Sequence, residues 1–94
     1  VLTDDKGMSV YWWDNDKPGS GKSGCNHSCA ATWPPLLAAP DSGPSGDFGV
    51  LIREDGRKQW TFKGRPLYTF VNDSKPGDRT GDGMRGSTWH LAKP

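Results

Sequence analysis

The chain repeats itself. Gly7-Met8-Ser9-Val10-Tyr11-Trp12-Trp13-Asp14-Asn15-Asp16-Lys17-Pro18-Gly19 returns as Gly64-Arg65-Pro66-Leu67-Tyr68-Thr69-Phe70-Val71-Asn72-Asp73-Ser74-Lys75-Pro76-Gly77. Tyr11 matches Tyr68, Trp13 matches Phe70 and Asp16 matches Asp73 in one constant register, with one extra residue before Lys75. Each copy then passes through a polar, glycine-rich loop to a tryptophan, Trp33 in the first and Trp89 in the second. Two related units in a chain of 94 residues predict pseudo-twofold packing, in which each unit covers the other's apolar face.

Thirteen glycines and eight prolines punctuate the chain too densely for long helices, a coiled coil or a parallel α/β sheet. Leu, Ile, Val and Phe total only 14, a level that suggests disorder when net charge is high. Here 12 basic residues face 11 acidic ones, and five tryptophans supply large buriable rings. The chain reads as folded but core-poor. No apolar run approaches the roughly 18 to 20 residues of a membrane-spanning helix.

Period-2 alternation places Tyr11 and Trp13 on one strand face, and Tyr68 and Phe70 on the matching face of the second copy. That shared aromatic face is the predicted core. Asp16 and Asp73 follow as turn-capping residues, and a buried Tyr hydroxyl finds its partner in the turn region. Phe48 to Arg53 and Lys58 to Phe62 read as a hairpin around Glu54-Asp55-Gly56, and Pro66 to Phe70 as a further strand. Leu2-Thr3 and Ser9 to Trp13 repeat the hairpin idea. The expected fold is mainly β, a single domain over residues 1–94 built from two pseudo-twofold β-hairpin units. The repeats span 7–37 and 64–93, joined by loop 38–47 and central hairpin 48–62. At most a short helical turn is expected near Cys29–Thr32, ended by Pro34-Pro35.

Cys25 and Cys29 are the two cysteines. In a small, core-poor domain, an even pair this close reads as a disulfide and points to an oxidising compartment. A signal segment or lipid-anchor cysteine would lie upstream of Val1. Arg53, Arg57, Lys58, Lys63 and Arg65 flank aromatic residues but are interrupted by Glu54 and Asp55. They read as solvent-facing hairpin positions, and no nucleic-acid partner is expected.

Tyr11-x-Trp13-x-x-Asp16 and Tyr68-x-Phe70-x-x-Asp73 resemble the Tyr-x-(Phe/Trp/Tyr)-x-x-Asp signature of a bacterial family of secreted repeats and predicted lipoproteins. Cys29-Ala30-Ala31-Thr32-Trp33-Pro34-Pro35-Leu36 resembles its Cys-Ala-x-x-Trp-Pro-Pro element. Gln59 to Tyr68 is similar to its central hairpin. The resemblance implies an exported, cell-envelope location, supplies no catalytic residues, and leaves the family's function unknown.

Trp12 stands where the second copy has Thr69, on the face opposite the core pair. It is either an exposed contact residue or a packed one, covering a second layer or lying on the loop at 17–24. A competing reading makes Cys25, His27 and Cys29 a copper or redox set, completed by Met8, Met84 or His90. Asp78, Thr80 and Asp82 resemble the start of a calcium loop, but its twelfth position is Trp89. Ion pairs from Arg79 and Arg85 to the more acidic first unit are the favoured closure of that loop. No nucleophile and base are paired: Ser28 merely adjoins His27 in sequence. The expected function is a non-enzymatic secreted or envelope module, without cofactor, that binds an envelope protein or polymer. It would touch membrane only through an upstream anchor. The alternative is the envelope copper or electron-transfer protein.

Overall fold

Tyr11, Trp12 and Trp13 are bulky residues that favour extended backbone, and they form the first strand. The structure, a computed structural model, describes residues 2–93. Its elements are β1 (Tyr11–Trp13), α1 (Ser28–Thr32), β2 (Leu37–Ala38), β3 (Phe48–Ile52), β4 (Lys58–Phe62), β5 (Arg65–Pro66), α2 (Met84–Ser87) and β6 (Trp89–Leu91). The protein is mainly β, in two antiparallel sheets. One pairs β1 with β6; the other arranges β2, β4 and β3 in order, with β5 also on β4.

The expected hairpins are present. β3 and β4 pair from Phe48 opposite Phe62 to Ile52 opposite Lys58, and Thr3 bridges to Ser9. The two units are nevertheless not self-contained. β1 of the first unit pairs with β6 of the second, Tyr11 opposite Leu91 and Trp13 opposite Trp89. The reciprocal exchange joins residues 69–71 to the Trp33 segment. Val71 N–H donates to Thr32 C=O at 3.0 Å and Thr69 N–H to Pro34 C=O at 2.8 Å. Pro34 and Pro35 have no N–H to return, so this ladder reduces to isolated bridges, and the expected Pro66 to Phe70 strand shortens to β5.

Tyr11 and Tyr68 lie on the pseudo-twofold axis. Tyr11 N–H donates to Tyr68 C=O at 2.7 Å, and Tyr68 N–H donates to Tyr11 C=O at 2.9 Å. Outside them, a triangle of backbone bonds joins Leu2, Val10 and Ala92. Trp60, Leu67 and Leu36 form the matching triangle. Each triangle takes one residue from beyond the other unit's tryptophan, so each unit ends inside its partner's layer.

The helical turn expected near Cys29 is α1. A second one, α2, occupies the equivalent place before Trp89, although the sequence there reads as a plain glycine-rich loop. Gly83 and Gly86 supply the left-handed backbone this tight turn needs, with φ of 80° and 69°.

Four rings form a column through the core. Trp13 stacks on Trp89 with centroids 5.2 Å apart, Trp89 on Trp33 at 3.8 Å, and Trp33 on Phe70 at 4.2 Å. Tyr11 and Tyr68 meet the central tryptophans edge-on. The predicted aromatic core is therefore one column drawn alternately from both units. Gly81 touches it so closely that an added Cβ would lie 2.8 Å from the Trp33 ring. A second apolar cluster gathers Val10, Phe62, Leu67 and Ala92, with Leu2, Trp12, Leu36 and Trp60 packed on it.

Candidate functional site

The signature Tyr and Asp residues are braces between the units. Tyr11 Oη donates to Asp73 Oδ2 at 2.7 Å, and Tyr68 Oη donates to Asp16 Oδ2 at 2.5 Å. Each carboxylate is also held by its own loop. Gly24 N–H donates to Asp16 Oδ1 at 2.7 Å, and Thr80 N–H donates to Asp73 Oδ1 at 2.9 Å. Both aspartates are buried; beyond closing a turn, each binds the other unit's tyrosine. Burial first, then the bond to the carboxylate, pushes both phenols far above the usual tyrosine range.

The two braces differ in what stands behind them. Ser23 Oγ lies 2.6 Å from Tyr68 Oη. Since the phenol spends its one proton on Asp16, Ser23 donates to it. Arg53 Nη1 donates to Ser23 Oγ at 3.2 Å, so a directed chain runs Arg53, Ser23, Tyr68, Asp16. Arg53 also donates to Gln59 Oε1 at 2.7 Å, Cys25 C=O at 2.9 Å and Asn26 Oδ1 at 3.0 Å. Only 5% of Arg53 is exposed. This corrects its reading as a solvent-facing hairpin residue. It is a buried cation whose opposite charge, Asp16, is reached through two hydroxyls. The mixed charges around Arg53 gave no signal for this; the polar neighbours come from the distant segment 23–26 and from β4.

Cys25 and Cys29 form a disulfide, with Cα atoms 5.1 Å apart. Both sulfurs are thereby consumed, and His27 is exposed beside them, so the proposed copper set has no thiolate to offer. Its other members are dispersed: His90 stacks on Trp12, Met84 lies in α2 and Met8 in the turn after Asp4. The calcium reading of Asp78, Thr80 and Asp82 also fails on geometry. Asp78 accepts from the backbone of Ser74 and Lys75, bonds that hold its carboxyl below the usual range. Thr80 Oγ1 donates to Asp73. Among the described residues, no three His, Cys, Asp or Glu side chains converge on a metal-sized site.

The expected Arg79 and Arg85 ion pairs are likewise replaced. Among the described residues the Arg–carboxylate pair is Arg57 with Asp55, and His90 Nε2 lies 3.0 Å from Asp14 Oδ1. Asp73 and Asp78 close the loop instead, by capping nearby backbone. Trp12 is half-buried, so the second-layer reading holds over full exposure. Its ring lies between His90, stacked at 4.3 Å, and the Arg65 guanidinium at 3.9 Å.

On the axis, outside the ring column, lies a groove of about 530 Å³. Trp13, Trp33 and Trp89 supply its aromatic lining; Asn15, Ser28, Thr32 and Thr88 add polar groups; Cys29 and Arg85 line it as well. Thr32 and Thr88 are pseudo-twofold equivalents, as are Cys29 and Arg85, each four residues before or one before its tryptophan. Sequence periodicity missed this groove because its residues come from the ends of two exchanged segments.

Nothing among curated proteins or solved structures matches the chain significantly. A family model described as a secreted repeat of unknown function matches residues 1–37 and again residues 49–93. The duplicated match agrees with the paired tyrosines, aspartates and tryptophans of the two exchanged units, and the chain belongs to this family of secreted repeats of unknown function.

Proposed function

We propose that this protein is a non-enzymatic module of the bacterial cell envelope that works by binding an envelope polymer or protein at its axial groove. The observation that carries this reading is the groove itself: a preformed, aromatic-floored cleft of about 530 Å³ with polar rim groups. Its walls are fixed by the Cys25–Cys29 disulfide and by the ring column, so little ordering is needed on binding. The secreted description of the family and a disulfide of this kind suit an oxidising, exported setting. Attachment through a lipid on an upstream cysteine is part of the proposal. The buried Tyr–Asp pairs support scaffolding over catalysis, since they face the core and spend their hydrogen bonds on each other.

The test uses native protein immobilised and exposed to bacterial envelope fractions, separated into polysaccharide and protein. Saturable retention on one fraction, weakened by Asn15→Ala with Ser28→Ala, is the expected result. Turnover of a hydrolase substrate panel, or copper retained one per chain after desalting, overturns it.

A further inference from the structure

We infer that the axial groove selects an acidic saccharide, with Arg85 taking the sugar's carboxylate; this rests on the binding-module reading above. The pseudo-twofold axis makes the argument. Cys29 and Arg85 are equivalent positions that both line the groove, yet one is locked in a disulfide and the other carries a guanidinium. The pair is therefore neutral in one unit and cationic in the other. Among the described residues, Arg85 is the single charged one lining it, and no carboxylate does. Among the described residues, no carboxylate pairs with the Arg85 guanidinium. An unpaired, exposed guanidinium is suited to a forked contact with a planar carboxylate.

The floor specifies the rest of the ligand. Trp33 and Trp89 are almost wholly buried in the ring column, which leaves the half-buried Trp13 as the aromatic surface open to a ligand. An exposed indole packs against the C–H face of a sugar ring, while Asn15, Ser28, Thr32 and Thr88 offer partners for its hydroxyls. Arg85 is also held with left-handed backbone, φ 57° and ψ 49°. That conformation is disfavoured for a residue with a Cβ, and the tight turn of α2 fixes it beside the cleft. A mixed lining of aromatic floor, hydroxyl and amide rim, and one cation fits a uronic-acid sugar better than a neutral glycan or a bare anion.

The experiment titrates native protein with trigalacturonic acid, maltotriose and sodium sulfate, following tryptophan fluorescence. Arg85→Asn serves as the variant, because Asn tolerates the left-handed backbone, and its near-ultraviolet circular dichroism reports whether the fold is intact. Trigalacturonate should bind saturably and at least about tenfold tighter than maltotriose, and Arg85→Asn should remove about tenfold of that affinity. Arg85→Lys should recover part of it, as a point charge without the fork. Sulfate competing as well as trigalacturonate would overturn the inference, leaving a simple anion site. Maltotriose binding equally well, with no effect of Arg85→Asn, would overturn the acid preference while leaving the binding-module reading standing. Absence of any saccharide binding, alongside retention on an envelope protein fraction, would also overturn it and leave that reading intact.

Discussion

Tyr11 and Asp73, separated by most of the chain, are joined by a buried hydrogen bond of 2.7 Å. The bond crosses from one repeat to the other, and Tyr68 with Asp16 returns it. A double-mutant cycle of Tyr11→Phe with Asp73→Asn should show a coupling of about 1 kcal/mol or more, whereas Tyr11→Phe with Asp16→Asn should be close to additive. Urea denaturation of the three single and two double variants checks this. Equal coupling in both cycles would mean the braces do not cross.

Alkaline pH should unfold the protein together with tyrosine ionisation. Burial raises both phenols in the folded state, while unfolded tyrosine ionises near pH 10. Above that pH the unfolded chain holds fewer protons than the folded one, so stability is fully present below about pH 10 and falls as pH rises further. Each phenol contributes a slope of about 1.4 kcal/mol per pH unit. Tyrosinate absorbance and loss of near-ultraviolet circular dichroism should coincide; tyrosinate appearing in a still-folded protein contradicts the brace.

Arg53→Met should cost about 3 kcal/mol or more. It strips a charged donor from Gln59, Cys25 C=O and Asn26, leaving buried acceptors unpaired. Arg53→Lys should rescue little, since an ammonium cannot span these acceptors in one plane. Chemical denaturation measures both; a cost within experimental error for Arg53→Met would place the side chain outside.

Trp12→Thr, which restores the residue of the sister copy, should destabilise by about 1 to 3 kcal/mol. The loss comes from the His90 stack, the Arg65 contact and the cover over the second cluster. Thermal melts with a Trp12→Phe control, expected to retain most of the packing, provide the measurement.

Cutting the connection between the units should not separate them. A protease site placed within residues 40–44, an exposed stretch apart from Ser42, leaves β1 paired with β6 and both braces intact. The halves should co-elute on gel filtration under native conditions and part only in denaturant. Separation on cleavage alone would rule out the exchange.

Much of the protein was legible from residues. The repeat gave two equivalent units, alternation gave the core faces of Tyr11, Trp13, Tyr68 and Phe70, and close cysteines in a thin core gave the disulfide. These are local properties: period 2 fixes which way a side chain points, and a short loop fixes which sulfurs can meet. Partner choice is not local. Two identical strands can close within a unit or exchange between units with the same alternation, so no pattern assigns Tyr11 to Asp73 over Asp16. Arg53 shows the same limit, since its partners at residues 23–26 reach it only once the chain has folded back. The axial groove, lined by both Cys29 and Arg85, exists only because tertiary packing brings two distant stretches of the sequence together about one axis.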